Sequence, residues 1–490
     1  MPRQSDRLVE HRSDAADSSP RGTGTFASEQ AVESKRRENH RRVLDVAALL
    51  LFATVVAGMS WRLYQHWPSS TVSNSERWSL TDFRDVVYFP AHAVADGVNP
   101  YDTTTGVSDR YMQRYPVLDT LPVYSPLVML IFSPLAMLPV NAAMVTFAIL
   151  NLALCLWLAR MTLRSVGRRA SFAGVLGLST LLLASQPGRG FFFAGQLSLP
   201  LALSTAGALW AADRRPWTGS ALVAFSTFKP TFGLPLGLLL LARRDWRAGV
   251  GGLALGGALG LAGMLIVFGR SGPVSLEAIV DTLRGNQASF DEDPTVVPQT
   301  NKARVDLAAT AEYLLARPLP PGAGLLIGVS VLGLSGAVLW RSRSSRDEQT
   351  AVSVPGAMLI LSMFLCVYHN IYDLPLLILP IASCATGSDP SWRALTATQR
   401  WIVLCLLVTP FVNVLWTEGF QFMLERVGLG FAEDGTLARW LQRLSPAANG
   451  LSLAGVWAIL AHRILVGRSA LSCASRPASV TSLSKTASAT

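Results

Sequence analysis

The chain has 490 residues, half of them hydrophobic and only 15% charged, well below the roughly 25% usual for soluble domains. Mean hydropathy is +0.35, and repeated apolar runs exclude a string of soluble domains in favour of one polytopic membrane unit. The formal net charge of +10 fits loops held on the cytoplasmic side; nucleic acid is not an expected partner, because clustered basic motifs interleaved with aromatics are absent.

Residues 1–42 are polar, mixed in charge and rich in Ser, Arg and Glu, which predicts a disordered cytoplasmic tail. Its end, Lys35-Arg36-Arg37 and Arg41-Arg42, abuts an apolar run over 43–64 and places the N-terminus inside. That run is too long for a signal-peptide core and reads as a retained span.

A first outer loop follows, about 65–122. Its stretch Ser79 to Asp102 carries four acids (Asp82, Asp85, Asp96, Asp102), His92 and a Gly97-Val98-Asn99-Pro100-Tyr101 turn. Phe83, Val87, Pro90, Ala91 and Val94 fall near helical spacing, which predicts a short helix over 81–95 lying near the interface, with Thr81 as N-cap. Asp96 and Asp102 flank the turn and support it. Of Asp82 and Asp85, one stabilises the helix N-terminus, worth roughly 0.3–1 kcal/mol, and the other is left for a different role. His92 on the same helix reads as water-facing.

The run 123–139 holds Pro126, Pro134 and Pro139, and 141–161 ends in Arg160, Arg164, Arg168 and Arg169. Both cannot cross if those arginines are cytoplasmic, so the first reads as re-entrant or interfacial. Spans over 172–185 and 197–212 follow, joined at the outer face by a Gly- and Phe-rich link with Arg189. The run 217–241 has basic residues on both flanks and Phe228-Lys229-Pro230 at its centre, which predicts two short helices meeting in a hairpin with Lys229 near the apex. Further spans lie over 248–268, 322–340, 352–368, 374–384, 401–416 and 451–466. Outer loops occupy about 270–321 and 418–447. A Ser/Ala/Thr tail, 469–490, reads as disordered and cytoplasmic. The expected fold is therefore all-α: a single membrane domain over 43–468, with about 10–13 transmembrane or re-entrant helices.

An ionisable group inside the bilayer costs roughly 2.5–3.5 kcal/mol on insertion and needs a reason. Lys229 is either paired with a buried acid or faces a ligand, where it would hold the phosphate of a lipid-linked substrate as a point charge. His369 and Asp373 lie four apart, as a structural hydrogen-bonded pair or a substrate-binding pair. Arg189 either anchors at headgroups or binds anions. Cys155, Cys366, Cys384 and Cys405 sit in apolar runs with no CxxC pair, so neither a disulfide nor a zinc site is expected.

Several segments together resemble glycosyltransferase family eighty-seven, the polyprenol-phosphate-dependent mannosyltransferases. TDFRDVVYFPAHAVADGVNPYD is similar to its acidic first-loop motif. Tyr124-Ser-Pro-Leu and Ser133-Pro-Leu are similar to its Tyr-Pro-Pro-Leu and Pro-Leu run, and Phe193-Ala-Gly-Gln196 to its Gly-Gln segment. Lys229-Pro230 through Arg243-Arg244-Asp245-Trp246-Arg247 and His369-Asn-Ile-Tyr-Asp373 are similar to its Lys-Pro segment with basic stop and its late His/Tyr-Asp motif. The ordered set covers about 78–380.

The resemblance implies a GT-C-like bundle in the plasma membrane, both termini cytoplasmic and the active site extracytoplasmic. It implies a polyprenyl-phosphate-linked sugar donor, mannose first and arabinofuranose as the alternative, and a glycolipid or polysaccharide acceptor. It implies Asp82 as general base, with Asp85 as competitor. Lys229, with Arg189 or Arg84, would hold the donor phosphate. His369, Asp373, Tyr88 and Gln196 would bind sugar or acceptor. No cofactor is required; a divalent metal on Asp82 and Asp85 is the alternative. A secondary transporter of envelope precursors is the rival class, since it too would carry broken helices and buried charge.

Overall fold

The computed structural model describes residues 23–67, 79–101, 124–271, 275–292, 301–342, 350–415 and 436–474, with a few isolated positions between them. Helix α1 (Thr23–Gln65) starts well upstream of the apolar run. Residues 23–42 are thus helical where composition suggested disorder, and i,i+4 pairs line them: Arg37–Glu33 at 2.5 Å and Arg42–Glu38 at 2.7 Å. Residues 1–22 and 475–490, the ends of both expected tails, lie outside the described residues, as does Asp102.

The acidic stretch forms α2 (Thr81–Phe83), a π turn (Arg84–Tyr88) and α3 (Phe89–Ala95). The helical expectation for 81–95 is met, and the stretch is largely buried, wedged against its neighbours. Leu80, not Thr81, takes the cap position, in a left-handed conformation at φ 54°.

Next come α4 (Pro126–Ala136), α5 (Val140–Ser165), α6 (Phe172–Ala184), α7 (Gln186–Ala194) and α8 (Ser198–Ala211). α7 and α8 form a pair bent by 119°. Then α9 (Pro216–Ser226) and α10 (Pro230–Ala242) meet at a break over 227–229, where the hairpin apex was expected. Proline explains both starts: it is preorganised for the first helical position, and it forces the residue before it out of the α region. Lys229 accordingly has φ −110° and ψ 102°.

The chain continues as α11 (Trp246–Ser271), α12 (Leu276–Glu292), α13 (Leu307–Leu315), α14 (Ala323–Arg341) and α15 (Val354–Cys366). A 3-10 turn (Ile371–Leu377) leads into α16 (Ile378–Thr386), and α17 (Pro390–Arg393), α18 (Ala397–Val412) and α19 (Thr436–Ala474) close the chain. Among the described residues, five helices are long and apolar enough to cross a bilayer, or six if the α7–α8 pair counts as one span. Six shorter apolar helices accompany them, including α4, α6, α10, α15 and α18. The protein is an all-α, multi-pass membrane protein.

One glycine sets the geometry around the site. Gly195 caps α7 with φ 78°, and a Cβ there would lie 2.9 Å from Phe83 Cβ and 3.2 Å from Leu80 Cα. Leu80 N–H donates to the Phe193 carbonyl at 2.7 Å. The end of α7 and the start of α2 therefore meet backbone to backbone. Gly195→Ala is expected to cost about 1–2 kcal/mol from the left-handed conformation alone, plus the close contact. A thermal scan of the purified variant reads this; an unchanged Tm would mean that the α7–α2 contact gives way freely.

Candidate active site

Asp82 sits half-buried where α2 meets the end of α7. Gln196 Nε2 donates to Asp82 Oδ2, and Tyr124 Oη donates to Gln196 Oε1 at 2.7 Å. Tyr124 is itself held: Tyr101 Oη donates to its carbonyl at 2.7 Å, and the next residue, Ser125, donates its N–H to the Phe228 carbonyl at 3.0 Å. A three-member chain thus links the α9–α10 break to the carboxylate. Asp82 lies outside the spanning helices, and burial pushes its carboxyl up from 3.8 to about 7. The Gln196 hydrogen bond and Lys229 pull the other way, while Asp85 and Asp373 add to the rise.

Lys229 Nζ donates to Asp373 Oδ1 at 2.8 Å and Oδ2 at 2.7 Å. Of the two readings of Lys229, the structure shows the acid partner. Ser198 Oγ donates to Asp373 Oδ1 at 3.2 Å, and Asn370 N–H reaches Asp373 Oδ2 at 3.4 Å in a capping box at the start of the 3-10 turn. His369, fully buried, places Nδ1 3.0 Å from Asp373 Oδ2 and Nε2 3.1 Å from the Thr231 carbonyl. Lys229 and Asp373 thus form a buried ion pair, with His369 against the same carboxylate. Lys229 also lies 5.3 Å from the centroid of the Tyr372 ring and 5.6 Å from that of Phe232.

A short backbone stitch supports this cluster. Val305 N–H donates to the His369 carbonyl at 2.9 Å, and Ile371 N–H to the Ala303 carbonyl at 2.8 Å. Arg304, paired with Asp306 at 3.0 Å, stacks over Tyr368 at 4.8 Å. Asn370 Nδ2 donates to Tyr372 Oη at 2.6 Å and Tyr368 Oη at 2.9 Å.

The structure therefore brings Asp82 and Gln196 together, and Lys229, His369 and Asp373 together, with the two groups within each other's electrostatic reach. Asp85 is turned to other work: it is fully buried, and Arg84 Nε and Nη2 bind its two oxygens at 2.7 and 3.2 Å. Arg84 is held in that pair, with its guanidinium 5.8 Å from the Phe89 ring. Tyr88 Oη donates to the Leu138 carbonyl at 2.7 Å. Arg189 stands on a different side of α7, towards α1, whereas Gly190 turns to Tyr372. Sequence reasoning gave no role to Tyr124, Ser198, Asn370 or Tyr372. For Tyr124 a signal existed, a tyrosine directly before the Ser-Pro that opens an apolar helix.

The helices define a multi-pass, all-α membrane protein, with a half-buried carboxylate and a buried ion pair brought close together. The chain belongs to glycosyltransferase family 87, whose family model matches residues 123–367, half of the chain. It is accordingly a membrane glycosyltransferase. The matched segment contains Tyr124, Arg189, Gln196 and Lys229; Asp82 lies before it, and His369 and Asp373 just after it. No curated protein and no solved structure shows a significant match.

Proposed function

We propose that the protein transfers a sugar, mannose in the first instance, from a polyprenyl-phosphate donor to a hydroxyl of a glycolipid or cell-envelope glycan, at the extracytoplasmic face of the plasma membrane, on a GT-C-like bundle. The observation that carries the reading is the half-buried Asp82, held by Gln196, which Tyr124 holds in turn, within reach of the buried Lys229–Asp373 pair. In a single inverting displacement the acceptor oxygen forms its bond to the anomeric carbon as the bond from that carbon to the phosphate oxygen breaks. The acceptor proton passes to the Asp82 carboxylate, and the lipid phosphate departs with the bonding electrons. Lys229 faces the developing phosphate charge. Gln196 is assigned to sugar hydroxyls, whereas His369 and Asp373, fully buried and engaged with one another, are assigned to hold Lys229 in place. Arg84, Asp85 and Tyr88 are engaged with one another or with backbone, so the reading assigns them to support.

A base with a carboxyl near 7 makes a pH prediction. Transfer is expected to rise about tenfold per pH unit below about 7 and to level off above it, as Asp82 loses its proton. The assay is transfer from labelled polyprenyl-phosphate mannose in membranes between pH 5 and 9; a flat profile would remove Asp82 as the base. Transfer from polyprenyl-phosphate arabinofuranose alone would replace the sugar and keep the mechanism. Uptake of an envelope precursor into vesicles with no transfer would replace the reading by transport.

A further inference from the structure

Arg62 and Arg189 line one cavity of about 310 Å³ between α1, α6 and α7. The rest of its wall is apolar and includes Val55, Met59, Leu183 and Phe192. The Arg62 guanidinium stands 5.0 Å from the centroid of the Phe193 ring. Arg189 Nη2 donates to Gln186 Oε1 at 2.9 Å. No carboxylate pairs with either arginine among the described residues. Two further donors nearby are buried without an acceptor: Arg189 Nε and Gln186 Nε2, the latter on a side chain whose residue is only 8% exposed. Two like charges on one cavity wall, with two buried donors left without an acceptor at Arg189 and its neighbour Gln186, suit an anion shared between them.

We infer that this cavity is a binding site for the phosphodiester headgroup of an anionic bilayer phospholipid, with Arg62 and Arg189 as its two ligands. Its place in the fold argues for a lipid rather than a free ion. Arg62 lies in the last turn of α1, one turn from the end of a span whose most apolar window is wholly unburied. That is headgroup depth on a helix open to acyl chains. The cavity has room for a phosphate and its glycerol, with the chains lying along α1. The position also argues for bilayer lipid rather than the sugar donor. The cavity lies on the side of α7 that faces α1, whereas the face of α7 that carries Gly190 meets Tyr372, near Asp373. The site goes beyond the transfer reaction and does not depend on it.

The test is native mass spectrometry of the full chain in detergent, titrated separately with phosphatidylglycerol, phosphatidylcholine and polyprenyl phosphate. The intact protein is expected to keep phosphatidylglycerol in preference to phosphatidylcholine. Arg62→Gln with Arg189→Gln is expected to weaken phosphatidylglycerol retention about 30-fold, at roughly 1 kcal/mol for each cation. Arg62→Gln alone, at an exposed position that does not endanger the fold, is expected to weaken it about fivefold. Equal retention of the two phospholipids, or unchanged retention in the Arg62→Gln variant, overturns the site. Retention of polyprenyl phosphate alone, lost in the same variant, overturns the bilayer lipid as occupant and reassigns the cavity to the donor.

Discussion

Asp82→Asn is expected to reduce transfer by about 10²–10⁴-fold, the range over which a positioned general base acts. The asparagine keeps the size of the side chain and can still meet Gln196 and the end of α7, so the loss would lie in proton transfer rather than in folding. The same substitution should act oppositely on stability. A carboxyl whose folded pKa is raised from 3.8 to about 7 holds a proton that the unfolded chain releases. Between those values the folded state binds more protons, so stability falls as pH rises through the window and stays lower above it. Asp82→Asn removes that dependence. Its Tm is expected to match or exceed the wild-type value at pH 8, and the difference is expected to shrink below pH 4. Transfer assays and thermal scans on the same preparations check both halves. A variant that retains more than a tenth of the activity would eliminate Asp82 as base. One that is inactive and also less stable at pH 8 would show a structural loss instead.

The second large effect concerns the Lys229–Asp373 pair. The Lys229 side chain is 9% exposed and Asp373 is fully buried. Removing one member of such a pair leaves the other charge without compensation, a cost of about 3–5 kcal/mol. Lys229→Met is therefore expected to lower Tm sharply. Adding Asp373→Asn removes the stranded carboxylate and keeps a side chain that can cap the 3-10 turn and meet Ser198. The double variant should recover most of the lost stability. It should not recover donor binding, because the cation proposed to face the phosphate is gone. Thermal scans and binding of polyprenyl-phosphate sugar separate the two effects. A double variant no more stable than Lys229→Met would show that the charge imbalance is not what destabilises the single variant. Unchanged donor binding in the double variant would reject Lys229 as a phosphate contact.

What the sequence made legible was the part governed by local pattern. The long spans follow from apolar runs between basic stops, and the α9–α10 break follows from Lys229-Pro230 alone, since proline dictates the backbone on both sides. The helical character of 81–95 was readable from periodicity. Its burial was not, because burial depends on how α4, α5 and α7 close around it. The pairing that engages Asp85 and leaves Asp82 to Gln196 was hidden for the same reason. Arg84 meets its immediate neighbour Asp85 inside a π turn, a geometry that ordinary helical spacing does not produce. Arg189 sits in a glycine- and phenylalanine-rich link that says nothing about which side of α7 turns to α1. The helical extension over 23–42 was missed because mixed charge resembles disorder when the i,i+4 pairing of Glu33 with Arg37 and Glu38 with Arg42 is not counted.

The interrupted helices bear on how the protein is made. The chain breaks at 195–197, 227–229 and 367–370, and these breaks supply Gln196, Lys229 and His369. Hydrocarbon cannot satisfy backbone groups freed at a break, so they need partners elsewhere in the chain. The Phe228 carbonyl accepts from Ser125 N–H, the His369 carbonyl from Val305 N–H, and Ile371 N–H donates to the Ala303 carbonyl. None of these segments is therefore competent to settle alone in the bilayer as it leaves the insertion machinery. The late arrivals, residues 301–305 and 367–371, complete contacts that earlier helices leave open. Catalytic competence would then be acquired only at the last stage of biogenesis, and a chain truncated before residue 367 would be inserted yet unable to mature.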